Sequence, residues 1–187
     1  KYGKTALTQA IEEKHIEIIQ LLKDAGTTYT IKDAVAANDM NYVQKWITND
    51  KEKDINEINE LLYIASEGGK VEIVKVLINA GCDVNQADTT TGISPLFIAS
   101  QNGHVDTLKV LIKAGGNVNQ ATTDGYTPLF IASQIGNVAT VKALLEAGCN
   151  VNQCISNHGA TPILIASLAG HTEVVRLLVQ QPNIDLN

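Results

Sequence analysis

Cys149, Cys154 and His158 fall close together, and two thiols and an imidazole at such spacing could grip a metal ion. Structural zinc takes four ligands as a rule. No fourth is evident, so a core cysteine beside a loop cysteine and a loop histidine is the expected arrangement. The chain has 3 cysteines, too few and too scattered for a disulfide framework. As thiols they suit a reducing, intracellular and cytoplasmic setting. His15, His104 and His171 fall at turns, where a structural role is expected over catalysis. No Ser-His-Asp grouping is backed by a nucleophile elbow, and no glycine-rich phosphate loop appears. Glu12, Glu13, Asp106 and Glu173 read as solvated helix faces. These residues offer no enzyme, no cofactor site and no metal site.

Composition narrows the field further. The chain has 187 residues, one domain or one continuous array at roughly 150 residues per domain. Hydrophobic residues make up 44% and charged residues 18%, an ordinary globular balance. Lys plus Arg number 14 and Asp plus Glu 20, for a formal net charge of -6. Nucleic-acid binding by phosphate neutralisation needs a basic patch, and this balance argues against it. It mildly favours a basic or neutral protein partner, with charge acting mainly on association rate. No apolar run approaches the ~18 residues of a membrane span, and nothing resembles a signal peptide. Aromatic residues are only 4%, which suits many small contacts between helices better than one large core. The only methionine is Met40 and the chain starts at Lys1, so a processed or excised segment is expected.

What must position these residues is a repeat. Leu61-Leu62-Tyr63-Ile64-Ala65-Ser66 recurs as Pro95-Leu96-Phe97-Ile98-Ala99-Ser100, Pro128-Leu129-Phe130-Ile131-Ala132-Ser133 and Pro162-Ile163-Leu164-Ile165-Ala166-Ser167, at spacings of 34, 33 and 34. Ala80-Gly81-Cys82-Asp83-Val84-Asn85 recurs in step at Ala114–Asn119 and Ala147–Asn152. Ser94, Thr127 and Thr161 each precede a proline, and a hydroxyl N-cap followed by Pro starts a helix. Gly69, Gly103, Gly136 and Gly170 then turn the chain. A second helix follows, with Val105, Leu108, Leu111 and Ile112 at helical spacing in one copy. Gly81, Gly115 and Gly148 end it, and a Thr/Asp/Gly cluster makes a hairpin-like link onward. One such pair cannot bury its own apolar face, so neighbours must stack. Small Ala-Ser pairs let first helices approach closely, and bulkier second helices bend the stack so that first helices and hairpins line a concave side.

The motifs Ser94-Pro95-Leu96, Thr127-Pro128-Leu129 and Thr161-Pro162-Ile163, with Gly103-His104 and Gly170-His171, resemble ankyrin repeats, whose period is about 33 residues. The resemblance covers the whole chain, most strongly from residue 56. It implies an all-α, ankyrin-type solenoid of helix-turn-helix units joined by β-hairpin-like loops, about six repeats with the second degenerate. The expected boundaries are 1–29, 30–55 (irregular), 56–88, 89–121, 122–155 and 156–187. Gly3-Lys4-Thr5-Ala6-Leu7 is the first copy, with Ala in place of Pro. Residues 30–47 are expected to supply the helices of the second copy, and 49–54 an exposed loop, with a local kink or an array boundary there. Phe97, Phe130 and Leu164 stand where the family usually has His, so the usual hydrogen bond from that His is absent. Cys82 and Cys149 share one repeat position, where the family usually has Ala, so both are expected to be small buried side chains.

The resemblance implies a protein-interaction module with no catalysis, whose partner is another protein. The concave face is expected to present Asn59 and Glu67; Thr90, Thr91, Ile93, Gln101 and Asn102; Thr123, Asp124, Tyr126, Gln134 and Ile135; and His158, Leu168 and Ala169. Tyr126, Ile135 and Ile93 are expected to converge as an apolar cluster. Asn85, Asn119 and Asn152 resemble sites accepted by ankyrin-directed asparaginyl hydroxylases, although Asn in a turn is more simply structural. Two alternatives differ in class. The array could target or regulate a larger enzyme or channel, or it could be a spacer that self-associates weakly through uncapped ends.

Overall fold

The computed structural model describes residues 5–13, 15–49, 54–155 and 159–186, with Glu12 and Lys23 described by backbone alone. His158, the Gly3-Lys4 start of the first copy and most of the stretch 49–54 therefore lie outside the described residues. Among the described residues the fold is all-α, with twelve helices and no strand. The chain forms two compact units, Lys1–Cys82 and Asp83–Asn187.

In Lys1–Cys82 the helices pair in chain order: α1 (Ala6–Glu12) with α2 (Ile16–Asp24), α3 (Ile31–Ala36) with α4 (Met40–Asn49), and α5 (Ile55–Glu67) with α6 (Val71–Asn79). Two helices thus lie in the stretch expected to supply the degenerate copy, with α4 running two residues past 47, to Asn49. Thr5 caps α1 by accepting from the Thr8 N–H at 3.0 Å, so the cap survives the loss of Pro. Thr30 and Asp33 form a capping box on α3. Asp33 is buried and also accepts from the Thr5 hydroxyl at 3.1 Å and from the Thr8 hydroxyl, which ties the first helix pair to the second. Burial works against charge on Asp33. The hydrogen bonds from Thr8, Thr30 and Thr5 outweigh it and hold the carboxyl below its ordinary range.

In Asp83–Asn187, α7 (Pro95–Gln101) pairs with α8 (Val105–Lys113), α9 (Pro128–Ile135) with α10 (Val138–Glu146), and α11 (Pro162–Leu168) with α12 (Thr172–Val179). The hydroxyl caps expected from the sequence are in place. Ser94 accepts from the Phe97 N–H at 3.1 Å, Thr127 from Phe130 at 3.1 Å and Thr161 from Leu164 at 3.4 Å. Each such cap contributes about 1 kcal/mol. Ala99, Ala132 and Ala166 are fully buried, and the first helices are more closely apposed than the second helices. Leu108, Leu111, Val141, Leu144, Val174 and Leu178 fill the core between layers, at roughly 1.5–3 kcal/mol for each side chain removed from water.

The links are hairpin-like without being strands. Asp88 N–H donates to Ile93 O at 3.0 Å and Thr122 N–H to Tyr126 O at 2.9 Å. Neighbouring tips are joined through Thr123 N–H to Thr91 O at 3.0 Å. The tip from Asp88 to Ile93 is one residue longer than the tip from Thr122 to Tyr126. This accounts for the uneven period, since Asn85 and Asn119 are 34 apart and Asn119 and Asn152 are 33 apart.

Candidate interaction surface

The ends of the first helices in Asp83–Asn187 carry the most distinctive surface. Gln101, Gln134 and Leu168 share one repeat position, and Asn102, Ile135 and Ala169 share the next. All six are exposed. Leu168 and Ile135 are among the largest exposed apolar groups in the chain. Ile135 is the last residue of α9 and Leu168 the last of α11, and these two helices pack together. At the opposite ends of these helices, Thr90, Thr91, Thr123 and Asp124 are exposed on the hairpin tips. Asp88 shapes the first tip by accepting from the Thr91 hydroxyl at 2.7 Å and the Thr91 N–H at 2.8 Å, and these bonds lower its carboxyl pKa.

Three expectations change. Asn59 is buried. The hairpin position assigned to it does not exist, because α5 starts early, at Ile55, under an Asp54 cap that accepts from Asn56 N–H at 2.9 Å. Asn59 therefore lies inside a helix. Tyr126 does not join Ile135. It precedes α9, Ile135 ends it, and eight helical residues span about 12 Å. Tyr126 is half-buried and packs its ring on Phe130, with centroids 5.3 Å apart. Ile93 is half-buried at the neighbouring tip. Finally, Cys82 is only half-buried, while Cys149 is buried as expected. Glu67 is exposed at the end of α5, in the other unit.

The repeated asparagines have a defined structural task. Asn85 Oδ1 accepts from Asn117 N–H at 2.7 Å, and its Nδ2 donates to Gly115 O at 3.1 Å. Asn119 Oδ1 accepts from Asn150 N–H at 2.7 Å. Asn152 Oδ1 accepts from Asp185 N–H at 2.9 Å, and its Nδ2 donates to Asn183 O at 2.6 Å. Each carboxamide thus holds the backbone of the following repeat. His171 works at the opposite turn, with Nε2 hydrogen-bonded to Gln134 O at 3.0 Å.

Two features missed from the sequence had readable signals. Thr30-Ile31-Lys32-Asp33 is a capping-box pattern, and Asp54 stands three residues before Glu57 at the true start of α5. Among the described residues no group of His, Cys, Asp and Glu is placed to hold a metal. Cys154 is exposed, and burial pushes the Cys149 thiol up to about 11. No helix among the described residues is long and apolar enough to cross a membrane.

No curated protein matches the chain. A family model described as ankyrin repeats (3 copies) matches residues 33–122 and again 114–187. Ankyrin repeats are generally protein-protein interaction modules. With most of its length matched and helix pairs, hydroxyl-Pro caps and hairpin links in their places, the chain belongs to the ankyrin-repeat family.

Proposed function

We propose that the chain binds another protein, and that the first-helix ends of Asp83–Asn187 form the contact strip. The observation that carries this reading is the pair of aliphatic side chains, Ile135 and Leu168, left in water at the ends of adjacent helices. Covering such groups stabilises a complex at roughly 25 cal/mol per Å² of apolar surface removed from water. The helices hold them in fixed positions, so little entropy is lost on binding. Gln101, Asn102 and Gln134 supply a polar rim that can hydrogen-bond without demanding one partner charge.

The test compares capture from a cell extract by the chain and by an Ile135→Asp, Leu168→Asp double variant, read by quantitative mass spectrometry. Both substitutions lie on exposed positions, so thermal unfolding should be unchanged. A partner recovered about tenfold less by the variant, a difference of 1.4 kcal/mol, supports the strip. Equal recovery of every captured protein removes it.

A further inference from the structure

Charge in Asp83–Asn187 is sorted by element. Its Lys and Arg residues are Lys109, Lys113, Lys142 and Arg176, and all of them lie on α8, α10 and α12. No Lys or Arg stands on a hairpin link or on α7, α9 or α11. The second helices carry both signs, with Asp106, Glu146 and Glu173 beside the cations. The single-sign surface is therefore particular to the hairpins and first helices. Asp88 and Asp124 are exposed on neighbouring tips. The Thr123 N–H and hydroxyl both donate to Thr91 O at 3.0 Å and hold those two tips together. Asp88 keeps its charge, because the bonds it accepts from the Thr91 hydroxyl and N–H favour the ionised form.

The far ends of the same helices share the bias. α7, α9 and α11 each finish without a basic residue in the last turn. A helix C-terminus gathers partial negative charge on its last carbonyls and is stabilised by a nearby cation. His171 takes up one of these carbonyls, Gln134 O. Asp106, exposed in the first turn of α8, adds an acid just past Asn102. Ile135 and Leu168 are thus set in a surface that offers negative charge at both ends of the first helices and no Lys or Arg to balance it.

Resting on the reading of Ile135 and Leu168 as a contact, we propose that the partner segment covering them is cationic, with an apolar side chain seated on Ile135 and Leu168 and Lys or Arg side chains reaching Asp124 and Asp88. The argument is charge complementarity: a basic segment finds acids and helix C-termini along its path, and an acidic one meets repulsion. The span fits a short peptide. The eight residues of α9 cover about 12 Å between tip and strip, and an extended segment crosses that in roughly four residues.

The experiment selects a displayed library of random short peptides on the 187-residue chain. Binders are sorted by their loss on Ile135→Asn, Leu168→Asn, a neutral double variant that removes the apolar contact without adding charge. The binders it loses are expected to be enriched in Lys and Arg over the unselected library and to weaken as salt rises. Asp124→Lys should weaken them about fivefold, the upper range for an exposed ion pair. Lys142→Glu, on a second helix, should leave them unchanged. Circular dichroism checks folding, and Asp124→Asn replaces Asp124→Lys if that variant unfolds. Strip-dependent binders of neutral or acidic composition overturn the proposal and leave the strip standing. Binders that answer to Lys142→Glu as strongly as to Asp124→Lys also overturn it, because they read net charge and not this face. If no binder depends on Ile135 and Leu168, the strip fails and the proposal with it.

Discussion

Asp33 shows how much one side chain can hold. Its carboxylate serves the Thr30 cap and the hydroxyls of Thr5 and Thr8, so it fastens two helix pairs at once. Its folded pKa lies below the unfolded value of about 3.9. A depressed carboxylate stabilises the fold fully above the unfolded pKa, and this stability is lost as pH falls through the folded value. Asp33→Ala should therefore cost about 2 kcal/mol near neutrality, since the lost hydrogen bonds are to a charged group. The gap between variant and parent should narrow below about pH 4, as the parent carboxylate itself becomes protonated. Thermal melts of both proteins across that range check it, and a gap that does not change with pH would refute the assignment. Half of this site was legible: Thr30 and Asp33 form a local pattern, whereas Thr5 and Thr8 reach Asp33 across 28 and 25 residues. Nothing in local spacing announces such a contact.

Helix starts were legible because their causes are local. Hydroxyl, proline and the receiving N–H lie within four residues, and each cap sits where that spacing puts it. The α5 start was misplaced because it lacks proline and uses Asp54, which an alignment on later copies passes over. Helix ends add a stricter demand. Gly136 closes α9 at φ 81, and a Cβ there would collide with the His171 ring. The left-handed backbone alone costs a non-glycine residue roughly 1–2 kcal/mol. Gly136→Ala should therefore destabilise more than Thr127→Ala, which loses only a cap worth about 1 kcal/mol. Urea midpoints at unchanged slope measure both, and the reverse order would show that the His171 contact yields freely.

For the molecule as a whole, neighbour terms matter most. Within Asp83–Asn187 each asparagine binds the following repeat, so stability is a chain of local couplings. Asn119→Ala removes the acceptor for Asn150 N–H and should cost about 1 kcal/mol. Hydrogen exchange should quicken at Asn150 and around it, with α1–α4 unaffected; uniform loss of protection across the chain would contradict nearest-neighbour coupling. Burial at other repeat positions was only partly legible for a related reason. Leu164 and Phe130 hold one repeat position with opposite exposure, because burial belongs to the neighbours and not to the residue.

The uneven period carries a consequence for how such a chain can change. Its one-residue difference is confined to a hairpin tip, while caps, helices and asparagine bridges keep their offsets. An inserted residue at a tip adds about 3.4 Å of chain shared by its two arms, so its reach grows by about half of that and the helices stay where they were. A lineage can lengthen or trim each tip separately while the scaffold beneath stays the same.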